Sequence, residues 1–378
     1  MTTHLTTSPG LRDAPSEVPP GTFLSRDTVL WKAHGTGNTF LLLDDPDGTL
    51  EVGSDTVAHL CDVSRGVGAD GLIRCVQVEG RWFMDYRNAD GSLAEMCGNG
   101  VRVFVDHLRN AGLVDLAEGQ ALEVATRAGV KTVRSLGARP AQVPGPVWER
   151  DAHVDEGGVA DSEMVPGGAP GRGVTTGRTG AGPWAQGSSE QWYSVDMGRA
   201  VSPGLPDMSV SVVGLEGLFE GIRVAMPNPH VVIDVETRQA LREAVLPSTD
   251  IHLAPPGTRP TYSPEPAEGV NLELVVDVTK PGTKIGHLLM RVLERGVGET
   301  RSCGTGCCAA AVASAIRRGS AAPRSWVVEV PGGSVVVDLP GARVDLAGDS
   351  VVLSGPAPPV AEVRPLSWRS PLRFAARS

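Results

Sequence analysis

Short apolar runs bounded by turn residues dominate the chain. Thr39–Asp44 (TFLLLD), Leu72–Val78 (LIRCVQV), Trp82–Tyr86 (WFMDY), Val231–Asp234 (VVID), Leu272–Val278 (LELVVDV) and Ser334–Leu339 (SVVVDL) have the length and the β-branched or aromatic content of strands. Four longer stretches carry helical signals instead: Ser54–Val63, Gly98–Leu108, Glu236–Val245 and Gly304–Ile316. The second is followed by Gly112 and the fourth by Gly319, both suited to ending a helix. Strands dominate over a few helices, so the pattern predicts an α+β fold.

The pattern also repeats. Asn38-Thr39-Phe40-Leu41-Leu42-Leu43-Asp44 resembles Asn228-Pro229-His230-Val231-Val232-Ile233-Asp234, an Asn followed by an apolar triplet and an Asp. Each copy leads, several tens of residues later, to Cys-Gly-x-Gly and a helix. Two similar halves are expected, with a small-molecule site in the cleft between them. Residues 1–26, polar and proline-marked, read as a disordered leader, and 27–136 as the first half. Residues 137–191 hold no sustained period and read as a Gly/Pro-rich insertion or linker. The second half is expected over 192–349 and a loose basic tail over 364–378.

Composition narrows the function. The 378 residues carry a formal charge of −10 and no basic patch, which argues against a nucleic-acid partner. No stretch approaches the ~18 apolar residues of a membrane span. The opening MTTHLTTSPGLRDAPSEVPPG has neither the basic start nor the apolar run of a secretion signal. A cytoplasmic protein is expected, its cysteines reduced rather than paired in a disulfide scaffold. Of those cysteines, Cys61 and Cys75 fall in apolar runs and Cys307 and Cys308 among alanines, where packing accounts for them.

Cys97 and Cys303 differ, because each stands in front of Gly-x-Gly at the start of a helix. Glycines in a first turn let a ligand approach the exposed backbone N–H groups. Those groups and the helix dipole make an anion site suited to a carboxylate. The same position is expected to lower a thiol's pKa. If the two turns face each other, one carboxylate rests between both helix ends and a thiol flanks each side of the carbon bearing it. One cysteine as thiolate base and its partner as thiol acid would then take a proton from one face and return one to the other.

At this point the residues resemble the diaminopimelate epimerase family. The blocks HGTGNTFLLLD, LCDVSRGVGADGL, NADGSLAEMCGNGVR, MPNPHVVID, PAEGVNLELV, ERGVGETRSCGTGCCAAAVA and PGGSVVVDL carry the resemblance, in the family's order. It implies two pseudo-symmetric halves of mixed sheet wrapped on a central helix, the first joined by a strand near 350–363, usually in a homodimer. It implies epimerisation of LL- to meso-diaminopimelate without a cofactor, with Cys97 and Cys303 as the catalytic bases. Gly98, Asn99, Gly304 and Thr305 would hold the reacting carboxylate. Asn38, Asn88, Asn228, Asn271, Glu294 and Arg295 would hold the rest of the amino-acid substrate, with His230 in support. Gly71 departs from the family, standing where some members carry a substrate-contacting glutamine. Pro227 replaces a glycine usual before Asn-Pro-His.

Other readings have less behind them. Gly66–Gly71 matches GxGxxG, but a polar stretch precedes it and a strand-like run follows, the reverse of a dinucleotide site. None of Lys32, Lys131, Lys280 and Lys284 sits in a recognisable pyridoxal motif. No metal is expected, since no Cys or His pair beside Cys303, Cys307 and Cys308 has zinc spacing. An epimerase of another amino acid, or a thiol redox or metal-binding protein, are the alternatives.

Overall fold

The computed structural model describes residues 22–23, 28–140, 143, 190–339 and 350–364. Most of the expected leader, insertion and tail lies outside the described residues.

One arrangement is built twice. In the first copy Leu30–Gly35 and Asn38–Asp44 form an antiparallel hairpin, and helix α1 (Ser54–Cys61) carries the chain to Gly71–Val78. That strand runs parallel to Asn38–Asp44 and makes a hairpin with Arg81–Asn88. Helix α2 (Gly98–Asn110) leads to Ala121–Thr126, which lies parallel to Arg81–Asn88 and pairs with Gly129–Ala138.

The second copy repeats each step. Phe219–Ala225 and Pro229–Asp234 form the hairpin and α3 (Arg238–Glu243) the first crossover. Asn271–Asp277 runs parallel to Pro229–Asp234 and pairs with Ile285–Glu294. Helix α4 (Gly304–Arg318) then leads to Ser325–Val330, parallel to Ile285–Glu294 and paired with Gly333–Asp338. Parallel neighbours need crossover connections, and the four helices supply them. The register matches as well: Phe40 lies opposite Gly71 and His230 opposite Asn271. Asn38 thus corresponds to Asn228, Gly71 to Asn271, Ile73 to Glu273 and Cys97 to Cys303.

Two strands join the copies. Gln191–Asp196 pairs with Gly129–Ala138 and with Val352–Pro356, which in turn pairs with Gly333–Asp338. Pro359–Val363 then returns to the first copy beside Leu30–Gly35. Helices α2 and α4 share one core: Val101, Phe104, Val105 and Leu108 of the first lie in a single apolar cluster with Cys307, Ala311 and Val312 of the second. In α4 Ala309, Ala310, Ala311 and Ala313 are all sealed from solvent. A helix apolar on every side belongs inside a protein, and alanine combines high helix propensity with the small volume that lets surrounding strands close in.

Several boundaries differ from the sequence reading. Helix α3 is shorter than Glu236–Val245 because Glu236 takes a left-handed φ of 65° and Thr237 caps the helix, its hydroxyl accepting Ala240 N–H at 3.0 Å. Helix α1 stops at Cys61, where the Asp62 carboxylate takes the N–H groups of Ser64 and Arg65 and turns the chain. Thr22–Phe23 pairs with Leu50–Glu51, so part of the expected leader is strand. The expected insertion starts and ends in the paired strands Gly129–Ala138 and Gln191–Asp196, which brings its two ends side by side. Among the described residues no helix is long and apolar enough to cross a membrane.

Candidate active site

Cys97 and Cys303 each cap a helix from extended backbone, with φ of −132° and −126°. Helices α2 and α4 meet at these ends. A Cβ placed on Gly304 would stand 3.6 Å from Gly98 Cα and 3.6 Å from Asn99 Oδ1. The two Gly-x-Gly turns therefore abut, and a Cβ on Gly304 would press on Leu353 Cδ2 at 3.1 Å. Each cysteine immediately precedes one of the abutting glycines, Cys97 partly exposed and Cys303 buried.

The surrounding side chains fall into two groups. Asn38 sits beside Cys97, its Oδ1 3.5 Å from the thiol and its Nδ2 donating to Asp70 at 3.0 Å. Asn88 is held by Ser92, Nδ2 to Oγ at 3.0 Å. Asn99 is buried and its side chain is engaged, accepting from Arg102 at 3.0 Å and donating to Ser302 Oγ at 3.3 Å. Only its backbone is left to serve a ligand. In the second copy His230 Nε2 meets Asn228 Oδ1 at 3.0 Å, its Nδ1 meets Glu273 Oε1 at 2.6 Å, and Asn271 Nδ2 lies 3.5 Å from that Nδ1. Asn271 Oδ1 accepts the Arg295 N–H at 2.8 Å, and the exposed Arg295 guanidinium donates to the Glu268 carbonyl at 3.0 Å. Glu294 accepts from Thr300, and Thr305 Oγ1 lies 3.4 Å from Cys303 Sγ.

The electrostatics contradict one expectation. Helix position was expected to lower both thiols. Burial instead pushes Cys97 up, against the pull of the Gly100 and Asn99 N–H groups. Cys303 stands well above its ordinary value, first through burial and then through Glu294 and Glu273, against Thr305 and the Gly306 N–H. Desolvation of a buried thiolate outweighs a few backbone dipoles and, at Cys97, the pull of the Arg102 guanidinium as well. Burial also raises Glu294, against hydrogen bonds from Thr300 and Cys303.

Metal-capable side chains gather elsewhere. Asp44, Cys75 and His107, toward the far end of α2, bring ligand atoms within 4.8 Å of one another. His107 Nε2 and Asp44 Oδ1 already occupy each other at 2.6 Å.

The family model described as diaminopimelate epimerase matches residues 30–140 and 223–347. The chain belongs to the diaminopimelate epimerase family. Curated relatives agree. A diaminopimelate epimerase of Streptomyces coelicolor is 37% identical over 88% of this chain and 95% of its own length. One from Thermobifida fusca is 36% identical over 85% and 95%. Among solved structures, a PhzF-family phenazine biosynthesis protein of Bacillus anthracis superposes with a TM-score of 0.54 at 13% identity, covering 90% of this chain and 99% of its own. A hydroxyproline epimerase of Agrobacterium vitis gives 0.50 at 13%, covering 89% and 91%. At such identities these two establish the fold alone.

Within the diaminopimelate epimerase framework, Gly71 has a physical explanation. A Cβ there would lie 2.4 Å from the Arg87 carbonyl and 2.6 Å from Tyr86 Cε2. The Tyr86 ring, packed edge-on against Phe40 with centroids 5.7 Å apart, fills the space a longer side chain would need. Pro227 is exposed in the tight turn of the Phe219–Ala225 hairpin, beside the Met226 N–H to Asn228 carbonyl bond of 2.9 Å. The sequence reading missed Tyr86, Arg102 and Glu273. The last two carried a signal: each is a charged residue inside an otherwise apolar run, VRVFV and LELVV, and each is fully buried.

Proposed function

We propose that the chain epimerises LL-diaminopimelate to meso-diaminopimelate, with Cys97 and Cys303 exchanging protons across the α-carbon. The observation that carries this reading is the abutment of two cysteine-capped helix ends, Gly304 against Gly98. The α-carboxylate would accept the N–H groups of Gly98, Asn99, Gly304 and Thr305, where two helix dipoles favour negative charge. Burial holds the thiols neutral until substrate enters. The substrate's own ammonium group then adds a cation next to the thiols and makes a thiolate accessible. One cysteine withdraws the α-proton as thiolate, and the other delivers its thiol proton to the opposite face of the planar carbanion. The buried dipoles stabilise charge on the carboxylate as it develops.

Asn38, Asn88, Asn228, Asn271, Glu294 and Arg295 would take the remaining polar groups, with Arg295 suited to the distal carboxylate and His230 orienting Asn228. No cofactor enters this scheme. We carry over a homodimer from the family, which sedimentation of the purified protein tests.

The deciding experiment is α-proton exchange into deuterated solvent with diaminopimelate and no added cofactor. Exchange with inversion is expected in the parent, and Cys97→Ala or Cys303→Ala abolishes inversion. A parent protein that binds diaminopimelate without exchange would sink the reading. The Tyr86 ring in place of a longer residue at 71 favours one second reading, another amino acid as substrate. The same exchange measured across a panel of amino acids distinguishes the two.

A further inference from the structure

The two halves agree in fold but differ in charge around their cysteines. Arg102 follows Cys97 at the place Cys308 holds after Cys303, and Glu273 stands at the place of Ile73. Arg102 is fully buried in the first turns of α2, donating to the Gly98 carbonyl at 3.1 Å and to Asn99 Oδ1 at 3.0 Å. Among the described residues no carboxylate forms an ion pair with it, and Cys97, Cys307 and Cys308 are the groups whose charge acts on its guanidinium. On the other side Glu273 is fully buried beneath the first turn of α4, its Oε1 2.7 Å from where a Gly306 Cβ would stand. Its Oε1 meets His230 at 2.6 Å, while Oε2 has no partner among the described residues.

We propose, on the footing of the two-thiol reading above, that the pair is unequal before any ligand arrives: Arg102 makes Cys97 the thiol that ionises first, and Glu273 with Glu294 keeps the proton on Cys303. The groups facing each sulfur bear this out. Cys97 faces Arg102 from its own helix, Glu294 from Ile285–Glu294 and the Tyr86 phenol from Arg81–Asn88. Asn38 Oδ1 accepts from the thiol at 3.5 Å, a dipole opposing ionisation but weaker than the full charge of Arg102. Cys303 faces Glu294 and Glu273, with His230 behind the two carboxylates. Both sulfurs feel Glu294, which acts on Cys97 more strongly than Arg102 does; the difference is that Cys97 also has a buried cation and Cys303 a second carboxylate, Glu273. Arg102 touches neither substrate nor a reacting atom, so it is a positioning residue that acts through Cys97.

Thiolate ultraviolet absorbance followed against pH tests this without substrate. Cys303→Ser leaves Cys97 to titrate, Cys97→Ser leaves Cys303, and the double variant is the blank for the other cysteines and the tyrosines. Cys97 is expected to ionise at least about one pH unit below Cys303, since an opposite charge at short range shifts a pKa by ~1–3 units. Adding Arg102→Met to Cys303→Ser raises the Cys97 step by about as much, and Arg102→Lys restores it. Adding Glu273→Gln to Cys97→Ser lowers the Cys303 step. Should Arg102→Met fail to fold, the order of the two parent steps and the Glu273→Gln shift still decide. Cys303 ionising with or before Cys97, or a Cys97 step unmoved in a folded Arg102→Met protein, overturns the proposal. Absence of α-proton exchange with diaminopimelate would overturn the epimerase reading while leaving these titrations standing.

Discussion

Gly306 and Gly100 occupy equivalent places in the two cysteine turns, and alanine at each should have opposite consequences. At Gly306 the new Cβ would stand 2.7 Å from Glu273 Oε1 and 3.2 Å from Cys303 Cβ, against an ordinary contact of 3.4–4 Å. Glu273 cannot withdraw, because it is sealed in the core and tied to His230 at 2.6 Å. The first turn of α4 must move instead, by roughly half an ångström or more, carrying Cys303 and the N–H groups behind it. A misplacement of about 1 Å costs ~10²-fold in rate, so Gly306→Ala should lower kcat/KM by at least about tenfold. Overpacking of this kind also costs roughly 1–3 kcal/mol of stability. At Gly100 the neighbours are Phe40 Cε1 at 3.3 Å and Ile73 Cδ1 at 3.4 Å, side-chain ends that yield by a few tenths of an ångström, and Cys97 Cβ at an ordinary 3.4 Å. Removing a helical glycine contributes about 0.5–1 kcal/mol in return, so Gly100→Ala should melt within a few degrees of the parent and keep most of its activity. Rates of α-deuterium uptake and thermal unfolding measure both effects. Equal damage at the two positions, or greater damage at Gly100, would refute the claim that Glu273 buttresses the Cys303 turn.

Other expectations follow from single contacts. His230→Ala leaves Glu273 buried without its partner and should cost about 3–5 kcal/mol in a denaturant titration, whereas Glu273→Gln should cost less. Tyr86→Ala empties the space between Gly71 and Phe40, a loss of about 3–5 kcal/mol; Tyr86→Phe keeps the ring and should melt within ~0.5 kcal/mol of the parent, since the phenol makes no hydrogen bond with a described residue. Burial raises the Asp106 carboxyl from 3.8 to about 6, despite the hydrogen bond from Tyr193 at 2.8 Å. The folded protein therefore binds the proton more tightly than the unfolded chain. Stability from this group is intact below pH 3.8 and is lost as pH rises toward 6. Asp106→Asn should stabilise the protein by ~2 kcal/mol at neutral pH and by little at pH 4, and chemical denaturation at the two pH values checks the difference.

The parts of the fold that the sequence made legible are those where pattern and position coincide. Helix α2 begins and ends where Cys97-Gly98 and Gly112 placed it, and the six apolar runs are all strands, because short β-branched runs between turn residues leave little choice. The twofold plan showed through a single repeated heptad, Asn38–Asp44 and Asn228–Asp234. The family resemblance implied one strand near 350–363, and the structure has two, Val352–Pro356 and Pro359–Val363; Gly355 lets Arg102 lie against the first, a Cβ there standing 3.1 Å from the guanidinium carbon. Ile285–Glu294 escaped because His287, Arg291 and Glu294 interrupt its apolar pattern, and two of them are matched by carboxylates on neighbouring strands, His287 by Glu329 and Arg291 by Glu299. The cysteine pair could be read from its glycines. The charges that distinguish one cysteine from the other could not, since Arg102 and Glu273 gain meaning only once the strands place them beneath the two turns.

The return of Pro359–Val363 to Leu30–Gly35 also bears on how the protein is made. Leu30–Gly35 gains this neighbour only after both halves of the fold have been synthesised. At ~5–20 residues per second, tens of seconds separate the two strands. Throughout that interval the nascent first half carries an open sheet edge, the kind of surface that recruits stray strands. Products lacking Val352–Pro356 and Pro359–Val363 should be insoluble and without activity, since they leave that edge open.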